Sequence, residues 1–267
     1  MNESYYYGQG KVYLARRDIN GRHGSWRFIG DVSALNVNFA FAQKTSKSTR
    51  GGIVYETGNH FTDCSAVVTS VWHDFSVENL AILLGSTPIT EPFSLNGSQT
   101  LAAGIVKGET YSLQHTTVFN VNIAGLKKGI DYHVDQQWGM IEFLDTPVNK
   151  SYVVTYEYLQ NQSLPFFTTS RAEFSLRYQG VNLAENNTPI LVELYRLVFE
   201  PLATLELINS GDNVLGMETS AKLLADMAMQ SVSELSYFGR IQMVRSQPSL
   251  IYNGLTSYDG RNKFRGK

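Results

Sequence analysis

Most of this chain alternates. Between Asp31 and Gln43, Leu35, Val37, Phe39 and Phe41 fall on one side and Ala34, Asn36, Asn38 and Ala40 on the other, the period-two pattern of a β-strand. The first set is expected in a core. The second is small and polar, suited to solvent or a closely packed neighbour. Phe61 to His73 reads as a second long strand returning beside it, so the two form a long hairpin. Its tip, Lys44 to Gly58, reads as a flexible loop that is basic at its start and carries Ile53 and Tyr55 as apolar anchors. Ahead of this hairpin, Lys11–Arg16 and Ser25–Ile29 read as two strands around an Asn20-Gly21 turn.

One segment changes period. In Asp74 to Gly85, Val77, Leu80, Leu83 and Leu84 share a face at helical spacing, which predicts a short helix lying across a sheet. Ser76 is expected to cap it with its hydroxyl and Gly85 to end it in the left-handed region.

From Pro88 to Gln160 strands shorten and turns crowd. Thr110–Leu113, Val118–Ile123, Asp131–Val134, Met140–Phe143 and Tyr152–Tyr158 predict a small sandwich. Long strands resume at Arg171: Ala172, Phe174, Leu176 and Tyr178 alternate with Arg171, Glu173, Ser175 and Arg177, and Ile190–Phe199 completes a second long hairpin. Leu202–Ile208, Met217 to Ala225 and Gly239–Val244 are expected as further strands; Thr219 to Met229 is also readable as a helix by composition, but a strand through Leu223 is preferred. The fold class is mainly β: a sandwich or barrel-like core over residues 1–87 and 165–267, with one flanking α-helix and two long hairpins. Residues 88–164 form a small β insertion or a second subdomain.

Composition narrows the classes. The 267 residues are 43% hydrophobic, 12% aromatic and only 17% charged, with net charge −2, which fits a globular chain and argues against binding nucleic acid by bulk charge. No apolar run is long enough to span a membrane, and the Met1–Tyr7 start has neither the basic nor the apolar stretch of a signal peptide. Cys64 is the single cysteine and reads as a small packed residue mid-strand.

No catalytic motif emerges. The five histidines are not spaced as metal ligands, and His73-Asp74 reads as a strand end meeting a helix start. Asp131, Asp135, Glu142 and Asp145 gather near a turn without the order of a calcium loop, and read as surface acids around a hairpin. No catalytic, cofactor or metal site is expected. What does ask for explanation is length: strands this long expose edges that must be paired or covered, and a repeating assembly closing the sheets into a shared barrel would cover them. Lys44, Lys47, Arg50, Gly51, Gly52, Ile53 and Tyr55 would then form an arm docking on a neighbouring subunit.

Several segments, in order, resemble the major tail tube proteins of long-tailed bacteriophages. They are Tyr7–Arg16, Phe28–Val32, the long hairpin, Asp74–Leu80, Gly129–Asp135 with Gly139–Glu142, Val192–Pro201 and Leu223–Asp226. The pattern departs where Asp226-Met227 stands in place of Asp-Pro. The resemblance implies a structural virion protein, not an enzyme. It implies hexameric rings stacked into a tube, assembled in the host cytoplasm and residing in the virion tail. Tape-measure and tail terminator or baseplate proteins would be its partners, and DNA would pass through transiently. Ala34, Asn36, Asn38 and Ala40 would line the lumen, with either the Asp63, Ser65, Val67, Thr69 set or the Cys64, Ala66, Val68, Ser70 set beside them; the polar content of Asp63, Ser65 and Thr69 favours the first. Arg171, Glu173 and Arg177 would pair across the subunit seam. The competing expectation is a carbohydrate-binding β-sandwich, with tyrosines and Trp26, Trp72 and Trp138 as stacking platforms.

Overall fold

The computed structural model describes residues 5–49, 52–169, 172–185, 187–209, 211, 214–231 and 236–244. The protein is mainly β, with a single α-helix among the described residues. In chain order the elements are β1 (Gly8–Arg16), β2 (Arg27–Phe28), β3 (Val32–Ser48), β4 (Tyr55–Trp72), α1 (Val77–Leu83), β5 (Ile89–Glu91), β6 (Ser94–Leu101) and β7 (Thr110–Ser112). They continue with β8 (Val118–Ile123), β9 (Tyr132–Asp135), β10 (Met140–Phe143), β11 (Tyr152–Tyr158) and β12 (Asn161–Ser163). The last are β13 (Glu173–Asn182), β14 (Thr188–Phe199), β15 (Met217–Leu223) and β16 (Gly239–Met243). Contacts divide the chain into two compact units, Met1–Ser86 with Phe166–Lys267, and Thr87–Pro165.

The first unit is one antiparallel sheet in the order β2-β1-β13-β14-β15-β4-β3. β16 joins it on β14, pairing with Ile190–Leu194 while β15 takes Leu197–Phe199. The connection from β2 to β3 shows how the sheet closes. These strands stand at opposite ends of the order, yet only residues 29–31 link them, a reach of roughly 10 Å. The sheet therefore curls until its ends nearly meet. Val12, Leu14, Ala66, Val68, Trp72, Phe174, Leu176, Leu197, Met217 and Leu223 fill the interior, one inward residue in two from each long strand. Where the ends fall short of meeting, an apolar cleft of about 980 Å³ opens between β1 and β3.

Helix α1 lies on this core through Leu80, Ile82 and Leu83. Gly85 at φ +54 ends it: Gly85 N–H reaches Ile82 O and Ser86 N–H reaches Ala81 O, the paired bonds of a Schellman stop. Ser76 is the N-cap by backbone conformation, but its hydroxyl makes no capping bond. The helix start is held instead by Asn79, which is fully buried. Its amide donates to Ile29 O and Asp74 O, each at 2.9 Å, and its oxygen accepts from Arg27 Nη2 at 2.7 Å. One side chain thus ties the helix to the β2–β3 link that closes the sheet. Asn79→Ala is expected to cost about 2–4 kcal/mol, because it strands buried partners as well as losing bonds. Urea unfolding would read this as a lowered midpoint at unchanged slope, and a loss below about 1 kcal/mol would show that the cluster does not hold the closure.

The second unit packs sheet β7-β10-β9 against sheet β6-β11-β8, with β5 and β12 paired separately. Ile123, Ile141, Phe143 and Val154 are fully buried between them. The Gly129–Glu142 stretch explains itself here. Tyr132 and Val134 point inward, while Asp131 accepts from Lys127 N–H and Asp135 from Gln137 and Trp138 N–H, so the acids shape turns. β6 escapes sequence reading because SLNGSQTL is nearly all polar. Its inward positions are Leu101 and Gly97, and the Tyr156 ring of the partner strand covers Gly97 so closely that a Cβ there would sit 2.6 Å from it.

Two expected features change. The Lys44–Gly58 loop is mostly strand: β3 runs to Ser48 and β4 begins at Tyr55. Polar and β-branched residues such as Thr45, Ser46 and Ser48 accept strand geometry once a partner strand is in register. Leu202–Ile208 is not a strand. Leu202 and Leu205 pack on the core at a spacing of three, and Leu207 and Ile208 are exposed. Met217–Leu223 is a strand, ending at Leu223 as the preferred reading has it, and a 3-10 turn spans Met227–Ser231.

Candidate functional site

The first long hairpin outgrows its unit. β15 pairs with β4 only from Ala66 to Trp72, whereas β3 pairs with β4 along Val32–Ser48. Beyond Ala66 the hairpin is a two-stranded ribbon. At about 3.4 Å per residue, Ala40 to Ser48 extends it by roughly 30 Å. Both of its outer edges are unpaired among the described residues. A lone two-stranded ribbon is marginal in water, and open edges of this length invite another strand.

Its faces differ. On the core side Leu35 and Val37 pack on the interior, opposite Ser70 and Val68. The same row continues outward as Phe39 and Phe41, opposite Ala66 and Cys64. These phenylalanines were expected in the core and are not: they are 56% and 57% exposed, because the sheet that would cover them stops at Ala66. A register shift after Ala42 brings Phe61 into line, 71% exposed and 5.7 Å from the Phe41 ring, while Phe39 stacks on Phe41 at 6.5 Å. The result is a row of three exposed aromatic rings; Ile53 and Val54, just before β4, are exposed as well. Cys64 sits half-buried within it as a free thiol.

The opposite face carries Asn36, Asn38 and Ala40 beside Thr69, Val67 and Ser65, with Asp63 next to Ala42. Ala66, Val68 and Ser70 are buried, so Asp63, Ser65, Val67 and Thr69 are the set that shares the face of Asn36 and Asn38. Ala34 stands half-buried at its base. On neighbouring β15 this face adds Glu218, Ser220 and Lys222, with Lys222 3.6 Å from Glu200. The tip is less basic than its sequence suggests, because Lys47 stands opposite Glu56 in register. Lys44 and Gly52 are exposed, Tyr55 begins β4, and Arg50 and Gly51 lie outside the described residues.

The expected seam residues find partners within the chain. Arg177 Nη1 donates to Glu193 at 3.2 Å across the β13–β14 pair, and Glu193 also accepts from Arg240 Nε at 2.7 Å. Glu173 receives Arg196 Nη2 at 2.6 Å, which holds the Arg196 guanidinium above its usual pKa. Arg171 lies outside the described residues.

Sequence reading missed a buried charge cluster beside them. Tyr195 and Arg196 bulge opposite Ser175, freeing the Tyr195 carbonyl from the ladder. Arg17 Nη1 donates to that carbonyl at 2.6 Å and Nη2 to Asp226 at 2.7 Å, with the two side chains 4% and 5% exposed. The partners are 209 positions apart in sequence, so no local pattern could have revealed them.

Among the described residues no group of histidines, cysteines and acids is arranged to hold a metal ion, and no helix is long and apolar enough to cross a membrane. Trp72 is buried and donates to Ser70 Oγ, Trp26 packs on His23, and Trp138 is exposed in the other unit.

The first unit is thus a curled antiparallel sheet with a projecting, aromatic-faced ribbon that no third strand joins among the described residues. The chain belongs to the family described as "Protein of unknown function UCP028589", whose model matches residues 5–242. No curated protein matches it.

Proposed function

We propose that this chain is a self-assembling structural subunit, the major tail tube protein of a long-tailed bacteriophage, and not an enzyme. The carrying observation is the β3–β4 ribbon, which no third strand joins among the described residues, with its row of exposed phenylalanines. Apolar patches of this kind mark contact surfaces, and strand pairing between identical subunits satisfies open edges by closing a ring. The order of motifs resembling tail tube proteins supplies the rest of the reading. Ribbons of six subunits form a shared barrel, and rings stack through the hairpin tip, residues 44–55. The polar face of Asn36, Asn38, Ala40, Asp63, Ser65 and Thr69 lines the channel. On β3 and β4 these positions carry Asp63 and no lysine or arginine, and Lys222, which continues the face on β15, is paired with Glu200, which suits passage of DNA because each free cation would add phosphate affinity and slow transit. The tube would surround a tape-measure protein, meet terminator and baseplate proteins at its ends, and reside in the virion.

Negative-stain microscopy of the concentrated protein, with light scattering across a dilution series, tests this directly. Rings or tubes of uniform diameter are expected. A protein that stays monomeric at the highest concentration reached, and phage tails that assemble without it, would refute the reading.

A further inference from the structure

Strand β16 leaves part of the core face uncovered. Its register on β14 sets Ile241 opposite Val192 and Met243 opposite Ile190, and directly opposed side chains share a face. Ile190 is buried, yet Ile241 and Met243 are 69% and 66% exposed. All four line the apolar cleft between β1 and β3. The Tyr178 ring lies against Gly10 and Gly180, where any Cβ would collide with it, so this wall is a tyrosine ring on bare backbone. None of the side chains lining the cleft carries a charge. Two strand edges border it as well. On the side away from β13, β1 pairs with β2 only at Tyr13 and Leu14, and the outer edge of β3 takes no strand among the described residues.

The chain leaves β16 at the lip of this cleft. Val244 N–H bonds to Pro189 O, which holds the chain on β14 up to that point, and residues 245–267 follow outside the described residues. Their composition is uneven. From Ser246 to Tyr258 no residue is charged, and Leu250, Ile251, Tyr252 and Leu255 fall close together; from Arg261 to Lys267 the sequence is basic. An uncharged apolar stretch thus begins beside an uncharged apolar cleft. The six residues from Val244 to Leu250 reach up to roughly 20 Å, enough to fold back over Met243. A tether this short gives an effective concentration of about a millimolar. At lower protein concentrations that favours the chain's own segment over a second copy.

We propose that residues 249–255 of the same chain dock in this cleft, with Leu250, Ile251, Tyr252 and Leu255 covering Ile241 and Met243 and the basic residues beyond Tyr258 left in solvent. The contact closes the curled sheet where β1 and β3 fall short of meeting. It uses neither the phenylalanine row nor the hairpin tip, so it stands apart from the tube reading.

Amide exchange and dye binding of the full-length protein test the docking. Leu250→Asp with Ile251→Asp should quicken exchange at Gly8–Lys11 and Gly239–Met243 about ten-fold or more. It should also raise the fluorescence of an anilinonaphthalene sulfonate dye, which reports exposed apolar surface. Lys263→Ser with Arg265→Ser should change neither. Ile241→Ser with Met243→Ser truncates exposed side chains, which a fold tolerates, and should quicken the same amides. Joined to the aspartate pair it should add little, because both act through one contact. Exchange that is the same with and without the aspartate pair overturns the proposal, as do fully additive effects of the two pairs. Protection that fades on dilution, followed to concentrations where light scattering reports monomers, assigns the cleft to a second copy and overturns docking of the chain's own segment.

Discussion

Replacing Phe39, Phe41 and Phe61 together with serine is expected to abolish assembly and leave a folded monomer. The three rings are more than half exposed in the isolated chain; Phe39 lies level with the last residue that β15 pairs, and Phe41 and Phe61 lie beyond it. Truncating exposed side chains seldom moves stability by more than about 0.5 kcal/mol each, so the unfolding midpoint should hold. Assembly is different. Burying an aromatic ring at a contact contributes about 1.5–3 kcal/mol, and each 1.4 kcal/mol is ten-fold in association. Losing three rings should weaken each contact by a factor of about a thousand or more. Sedimentation at matched concentrations reads the difference. The matching change on the polar face, Asn36→Ser with Asn38→Ser, should leave assembly intact. Tubes of normal length from the triple variant would show that the aromatic row is not a contact surface.

The same ribbon shows where sequence reading succeeds and where it stops. Alternation from Asp31 to Gln43 located the strand and sorted its faces correctly, because side-chain period depends only on backbone geometry. It could not say how far the covering sheet reached. Leu35, Val37, Phe39 and Phe41 form one apolar row, yet the first two are packed and the last two exposed. The difference is made by β15, more than a hundred residues away in sequence. The hairpin tip failed for a related reason. Thr45, Ser46 and Ser48 carry no apolar alternation, and their strand state comes from pairing with Asn59, Gly58 and Tyr55. Leu202–Ile208 erred the other way. Its leucines look like a strand, but the β14 edge they would need is occupied by β15 and β16.

Arginines at the foot of the sheet carry the same lesson for charge. Arg177 and Glu173 alternate out of the core as the pattern requires, and a lone strand with such charges suggests a surface seeking a partner. Their partners are Glu193 and Arg196 on the next strand, in pairs that follow from the β13–β14 register. Nothing in the spacing of Arg17 and Asp226 foretells their meeting, which depends on the β1–β13–β14 order and on the bulge at Tyr195.

That pair yields the second large effect. Asp226→Asn keeps the shape of the side chain and removes its charge, leaving the Arg17 guanidinium buried with no carboxylate nearer than Glu173 at 4.0 Å. Breaking one member of a buried ion pair typically costs 3–5 kcal/mol, and a loss of about that size is expected here. The damage should be local first. Asp226 also accepts from Ala228 N–H, and Arg196 reaches Ala225 O, so the cluster pins the corner where the chain leaves β15 for β16. Amide exchange should therefore quicken at Gly239–Met243 before the rest of the sheet. Removing both charges, as Arg17→Met with Asp226→Leu, should recover more than half of the loss, because neither ion is then stranded. The triple-serine ribbon variant is the right background, since it keeps association from masking the unfolding midpoint. A single-variant loss below about 1 kcal/mol, or a double variant less stable than Asp226→Asn alone, would mean that this corner is held by packing and not by the buried pair.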